Sequence, residues 1–88
     1  MGSHTTPPKY RGVSWHVSDH KYRVKLKKHG RHVFLGNYDD PKVAAKVYDA
    51  CARLLHGPDA IFNFLGGLAP PEVPEPLIRA MLVEKGLL

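Results

Sequence analysis

A single cysteine, Cys51, is all the thiol this 88-residue chain contains. That rules out a disulfide framework and a cysteine-rich zinc module. No apolar run approaches the roughly 18–20 residues that a membrane span requires, and no signal-peptide pattern is found. Internal repeats and low-complexity tracts are missing too. There are no paired carboxylates, no Gly-rich phosphate loop and no convincing nucleophile–base pair, so the chain is not read as an enzyme. Length sets a further bound: one small domain, which buries only about 60% of its unfolded surface. Met1-Gly2-Ser3-His4 reads as a tag remnant, and the rest as one domain cut from something longer.

What is present is charge, and it is unevenly placed. Residues 1–40 hold eight Lys and Arg against three Asp, whereas residues 41–88 hold five of each sign, so the whole formal excess of +5 lies in the first half. Concentrated positive charge is an electrostatic footprint for a polyanion.

The same half reads as β-structure. Thr5 to Lys9 is a polar, proline-bearing lead-in, expected to be extended. Tyr10 to His16 supplies Tyr, Val and Trp around Gly12, and Val17 to His20 carries turn chemistry. From Lys21 to Lys28, Tyr22, Val24 and Leu26 alternate with Lys21, Arg23, Lys25 and Lys27, the period of a half-buried strand. His29-Gly30 fits a two-residue hairpin turn, and Arg31 to Tyr38 alternates again. With the turn at 29 and 30, Lys28 opposes Arg31, Lys27 opposes His32, Leu26 opposes Val33, Lys25 opposes Phe34 and Val24 opposes Leu35. One face then carries Val24, Leu26, Val33 and Leu35, and the other Arg23, Lys25, Lys27, His32 and Phe34. A one-residue slip would mix the sets, so the pattern specifies the pairing.

Helical signals follow. Asp40 is placed as N-cap with Pro41 at the first helical position, and Gly57-Pro58 closes a helix over roughly 41–56. Val43, Val47, Cys51 and Leu54 recur on one stripe, and Ala44, Ala45, Ala50 and Ala52 are small enough for close approach to a sheet. Cys51 on that stripe is core material. Ala60 to Leu65 is expected to tuck against the core. Residues 66–76 read as a stiff Gly/Pro-rich connection, and 77–88 as a C-terminal helix with Leu77, Ile78, Met81 and Leu82 on one side. The expected fold class is therefore α+β: a three-stranded antiparallel sheet packed on one α-helix, with a short C-terminal helical extension. Residues 5–65 form its DNA-binding domain in this reading.

The helix covers one sheet face. The other presents Arg23, Lys25 and Lys27 along about 14 Å of strand, with Arg11 beside them and no carboxylate expected among them. Arg can take a guanine edge with two hydrogen bonds, Lys binds phosphate or guanine as a point charge, and Phe34 can touch a thymine methyl. An ordinary solvated sheet face is the plainer alternative. Four histidines come in near pairs, His16 with His20 and His29 with His32, but on strands and turns rather than a helix. No metal site and no cofactor are expected.

Some of these residues together resemble a known family. Tyr10-Arg11-Gly12-Val13, Val33-Phe34-Leu35-Gly36-Asn37-Tyr38, Ala44-Ala45-Lys46-Val47-Tyr48-Asp49, His56-Gly57 and Asn63-Phe64 are similar, in order and spacing, to the Apetala-two/ethylene-response-factor domain. The resemblance covers about residues 9–64. It implies a three-stranded sheet on one helix, the sheet reading the major groove of double-stranded DNA, in a nuclear transcription factor. The family's DNA-contacting places fall on Arg11, Gly12, Ser14, His16, Lys25, Lys27, His32 and Phe34, with Tyr48 reaching a phosphate from the helix. Arg23 is added from the strand alternation. Ethylene-response factors usually carry Arg at positions 14 and 16, Glu at 25, Arg at 27 and Trp at 34, and the stretch between the first two strands differs in length. The resemblance thus carries over the reading surface but not a base sequence. Other classes left open are an RNA or acidic-protein binder and the targeting module of a nuclease. A monomer is the default state, with a protein partner or self-association through the 77–88 helix as the open alternative. No membrane partner is expected.

Overall fold

The structure, a computed structural model, describes residues 10–88, and for Leu65 the backbone alone. The expected tag remnant at 1–4, the lead-in from Thr5 and the charge of Lys9 lie outside the described residues. Three strands, β1 (Val13–His16), β2 (Lys21–Lys28) and β3 (Arg31–Tyr38), form one antiparallel sheet in the order β1-β2-β3. A helix, α1 (Pro41–His56), covers one face; a 3-10 turn (Leu65–Gly67) and a second helix, α2 (Glu75–Glu84), follow. The expected α+β class is what is found.

The hairpin forms where the alternation places it. His29 and Gly30 both have positive φ, 52° and 77°, the backbone twist a two-residue hairpin prefers. Lys28 opposes Arg31, Lys27 opposes His32, Leu26 opposes Val33 and Lys25 opposes Phe34, as expected. The next pair departs from expectation. Val24 opposes Gly36 rather than Leu35, because a β-bulge between Val24 and Lys25 leaves Leu35 as the surplus residue. Tyr38 holds the bulge, its hydroxyl donating to the Leu35 carbonyl at 2.8 Å. Burial pushes that hydroxyl up to about 12 in pKa, so it stays a donor.

Small residues let α1 lie close on the sheet. Ala44, Ala45, Val47, Ala50, Cys51 and Ala52 are buried against Val13, Val24, Leu26 and Leu35. Asp40 caps the helix by accepting from the Lys42 N–H at 2.7 Å, worth about 1 kcal/mol. Burial pushes the Cys51 thiol up to about 12, so the cysteine packs as a neutral apolar group.

The C-terminal part differs in detail from the sequence reading. Helix α2 starts at Glu75, two residues ahead of Leu77, with Pro76 inside its first turn. First-turn N–H groups have no intrahelical acceptor, so proline costs nothing there. Ile78 and Leu82 join the core and Met81 is half-buried, but Leu77 points outward, 58% exposed. Residues 66–76 are not one extended connection: they hold the end of the 3-10 turn, a turn closed by Val73 N–H on the Pro70 carbonyl, and the first two residues of α2. Within Ala60 to Leu65, Phe62 and Phe64 pack on the core while Ile61 faces solvent. Arg53 secures α2: its Nε donates to the Gly67 carbonyl at 3.2 Å, and its guanidinium also hydrogen-bonds the Glu75 carboxylate, which Arg79 holds from the other side.

Candidate nucleic-acid interface

The sheet face away from α1 is set by pairing. Ser14 opposes Arg23, and His16 opposes Lys21, between β1 and β2; Lys25 opposes Phe34, and Lys27 opposes His32, between β2 and β3. Directly opposed side chains share a face. Ser14, Lys25, Lys27 and His32 are exposed, Phe34 is 42% exposed, and His16 and Arg23 are partly covered. The structure therefore gathers seven of the ten expected site residues on one surface.

The remaining three meet at the start of β1. The Gly12 carbonyl accepts from the Lys25 N–H at 2.9 Å, and Gly12 has φ of 79°. The Tyr48 ring from α1 lies across it, and a Cβ there would sit 2.2 Å from the ring and 2.8 Å from the Lys25 carbonyl. Only glycine fits. Burial raises the Tyr48 hydroxyl above its ordinary value while the nearby Arg11 guanidinium pulls it down. Arg11 itself is exposed but its main chain is clamped. The Asn63 amide accepts from the Arg11 N–H at 2.6 Å and donates to the Arg11 carbonyl at 3.1 Å.

That clamp has a buried root. Asp49, wholly buried on α1, accepts from the N–H groups of Asn63 and Phe64, both at 2.7 Å, and from the Asn63 side chain at 3.1 Å. A carboxylate removed from water needs such donors. These bonds turn the chain after the helix back to β1 and set where Arg11 emerges.

Electrostatics on the sheet face differ from expectation. A carboxylate does lie among the cations: Asp19, from the turn between β1 and β2, comes within 3.6 Å of the Arg23 guanidinium and 3.1 Å of His16 Nδ1. Asp39 likewise engages Lys21. Turn geometry, invisible to strand alternation, brings both in. Arg23 also stacks over Phe34 at 5.4 Å. Lys25, Lys27 and Arg11 meet no carboxylate among the described residues. Among the described residues no group of three His, Cys, Asp or Glu gathers as a metal site would need, and no helix is long and apolar enough to cross a membrane.

No protein-family model matches the chain. Curated proteins do. Ethylene-responsive transcription factor ERF015 of Arabidopsis thaliana is 36% identical over 77 residues, covering 82% of this chain and 38% of its own. ERF027 from the same plant is 31% identical over 85% of this chain and 39% of its own, and ERF018 is 35% identical over 81% and 42%. The chain carries an AP2/ERF-type domain. It spans about two fifths of the length of these relatives.

Two features of this AP2/ERF domain escaped sequence reasoning. One is Asn37. Beyond the bulge it opposes Arg23 and is exposed, so it shares the outer face, where plain alternation would have turned it towards α1. An Asn amide can take an adenine edge with two hydrogen bonds. Gly36 inside a strand was the available signal, since an interior glycine often marks a bulge. The other is the Asp49–Asn63 clamp, for which the sequence holds no periodic signal.

Proposed function

We propose that this chain is the DNA-binding domain of a nuclear transcription factor, recognising double-stranded DNA by laying the outer sheet face into the major groove. The major groove is wide enough for β-structure, and each base pair shows a distinct donor and acceptor pattern there. Arg11, Arg23 and Asn37 would read base edges, Lys25 and Lys27 would bind phosphates or guanine, and Phe34 would meet a thymine methyl or a sugar. Ser14, His16 and His32 complete the contact surface, Gly12 admits the close approach, and Tyr48 reaches a phosphate beside Arg11. The role is binding rather than catalysis, and it needs no cofactor.

One observation carries the reading. Cations without carboxylate partners among the described residues, Lys25 and Lys27, stand on a sheet face that the fold leaves uncovered while α1 seals the opposite one, and Arg11, likewise unpaired, is exposed at the start of β1. The names of the matched relatives, all ethylene-responsive transcription factors, support it. An A-form RNA duplex has a major groove too deep and narrow for a sheet, which favours DNA.

The test is selection from random duplexes followed by anisotropy titration. Lys27→Ala is expected to weaken all sequences alike and to reduce the slope of log affinity against log salt by about 0.9. Arg11→Ala should instead relax base preference. Unchanged binding by both variants, or duplex RNA competing as well as duplex DNA, would overturn the proposal.

A further inference from the structure

A second concentration of positive charge lies at the free edge of the sheet. A cleft of about 510 Å³ opens between the tip of the β2–β3 hairpin and the end of α2. Lys28, His29, Arg31, His32 and Lys85 line it, together with Leu87, and no carboxylate does. The chain's acidic residues offer no relief: neither Lys28, Arg31 nor Lys85 is ion-paired among the described residues. Like charges held together in this way are stabilised by an anion between them.

Lys85 is placed there by the fold, not by a loose tail. Helix α2 ends in a paired-bond motif in which the Gly86 N–H donates to the Val83 carbonyl at 3.0 Å and the Leu87 N–H to the Leu82 carbonyl at 2.8 Å. Gly86 takes the left-handed conformation this requires, φ 77°. Leu82 is fully buried and Leu87 packs at the core's margin, so both sides of the motif are anchored. The result sets the Lys85 ammonium 5.7 Å from the Phe34 ring, whose other cationic neighbour is Arg23.

We infer that this cleft holds a backbone phosphate of the bound duplex, gripped between Lys85 of the C-terminal extension and the hairpin cations Lys28 and Arg31. The inference rests on the DNA-binding reading above and extends its footprint past β3. Continuity supports a phosphodiester as occupant: His32 and Phe34 line the cleft and also belong to the outer face, where they oppose Lys27 and Lys25. A nucleic-acid strand lying over those lysines would run on into the cleft.

The experiment compares the whole chain with Lys85→Gln, Lys85→Glu and Lys27→Ala on a random-sequence duplex, by anisotropy across a salt series. Phosphate contacts do not need the target sequence. Lys85→Gln is expected to lower affinity several-fold at low salt and to reduce the salt slope by about 0.9, with Lys85→Glu weaker still. Gly86→Ala, which keeps the charge but disfavours the left-handed turn, should weaken binding in the same direction. If Lys27→Ala reduces the slope while the Lys85 variants bind like the parent, the cleft is not a phosphate site and the sheet reading survives. If the parent chain binds no duplex at all, both fall. Amide NMR signals of residues 28–32 and 85–87 that move with inorganic phosphate but not with duplex would refute the assignment to DNA.

Discussion

Asn63→Ala would isolate the clamp that orients Arg11. The substitution removes three hydrogen bonds: two to the Arg11 main chain and one to the buried Asp49 carboxylate. The Asn63 and Phe64 N–H groups keep Asp49 as acceptor, so the buried charge is not orphaned. At about 1 kcal/mol for each main-chain bond, discounted because water can replace them, and somewhat more for the bond to the carboxylate, the loss comes to about 2–3 kcal/mol. A domain of this size loses roughly 4–8 °C per kcal/mol, so thermal unfolding by circular dichroism should fall by roughly 10–20 °C. The functional effect has its own magnitude. Releasing the backbone of one residue restores about 1–2 kcal/mol of disorder, which binding must then remove. Below the unfolding transition the variant should bind duplex DNA roughly 5–30-fold more weakly. A melting temperature lowered by less than about 3 °C would show that the clamp contributes little and that Arg11 is held by something else.

Three further outcomes are expected. Tyr38→Phe deletes the hydroxyl bond that pins the bulge and should cost about 1 kcal/mol by urea denaturation, with the Asn37 amide resonance among the most shifted; an unmoved Asn37 would refute the link. The Cys51 thiol, raised by burial to about 12, favours its neutral form in the folded state. Its contribution to stability is therefore complete below the unfolded thiol value and lost only as pH rises through the folded one, and a thiol reagent at pH 8 should label the protein in denaturant but not in buffer. Glu75 is lowered first by its hydrogen bond from Arg53 and then by that from Arg79. The docking of α2 should thus hold above the ordinary carboxylate range and weaken as pH falls through the depressed value, a trend that amide exchange in α2 can follow and that Glu75→Gln should abolish.

Much of this architecture was legible because it is periodic. Lys21 to Lys28 alternates without a fault, so the buried set Val24 and Leu26 and the outward set Lys25 and Lys27 follow from a period of two. The Asp40 cap and the Gly57 stop bound α1 by local chemistry alone. What stayed hidden was aperiodic. The bulge adds one residue and shifts the register from Val24 onwards, yet leaves no trace beyond Gly36. Asp49 lies on the side of α1 away from the apolar stripe, and nothing local tells a buried acceptor from a solvated carboxylate there. Asp19 reaches Arg23 through a four-residue turn whose shape is set by the strands it joins. Leu77 looked like core by spacing, but α2 turns Ile78 and Leu82 into the core, and Leu77, at the edge of that stripe, is left in water.

The surplus residue in β3 also fixes what can be transplanted. Straightening the strand at its full length, so that Leu35 paired with Val24 and Asn37 with Tyr22, would swing the Asn37 amide under the helix and carry Tyr38 away from the carbonyl it now reaches. Single side chains copied onto a regular hairpin would therefore deliver Phe34 correctly and aim the amide the wrong way. Residues 34–38 are a cassette, and an engineer borrowing this surface for another scaffold must move the five together.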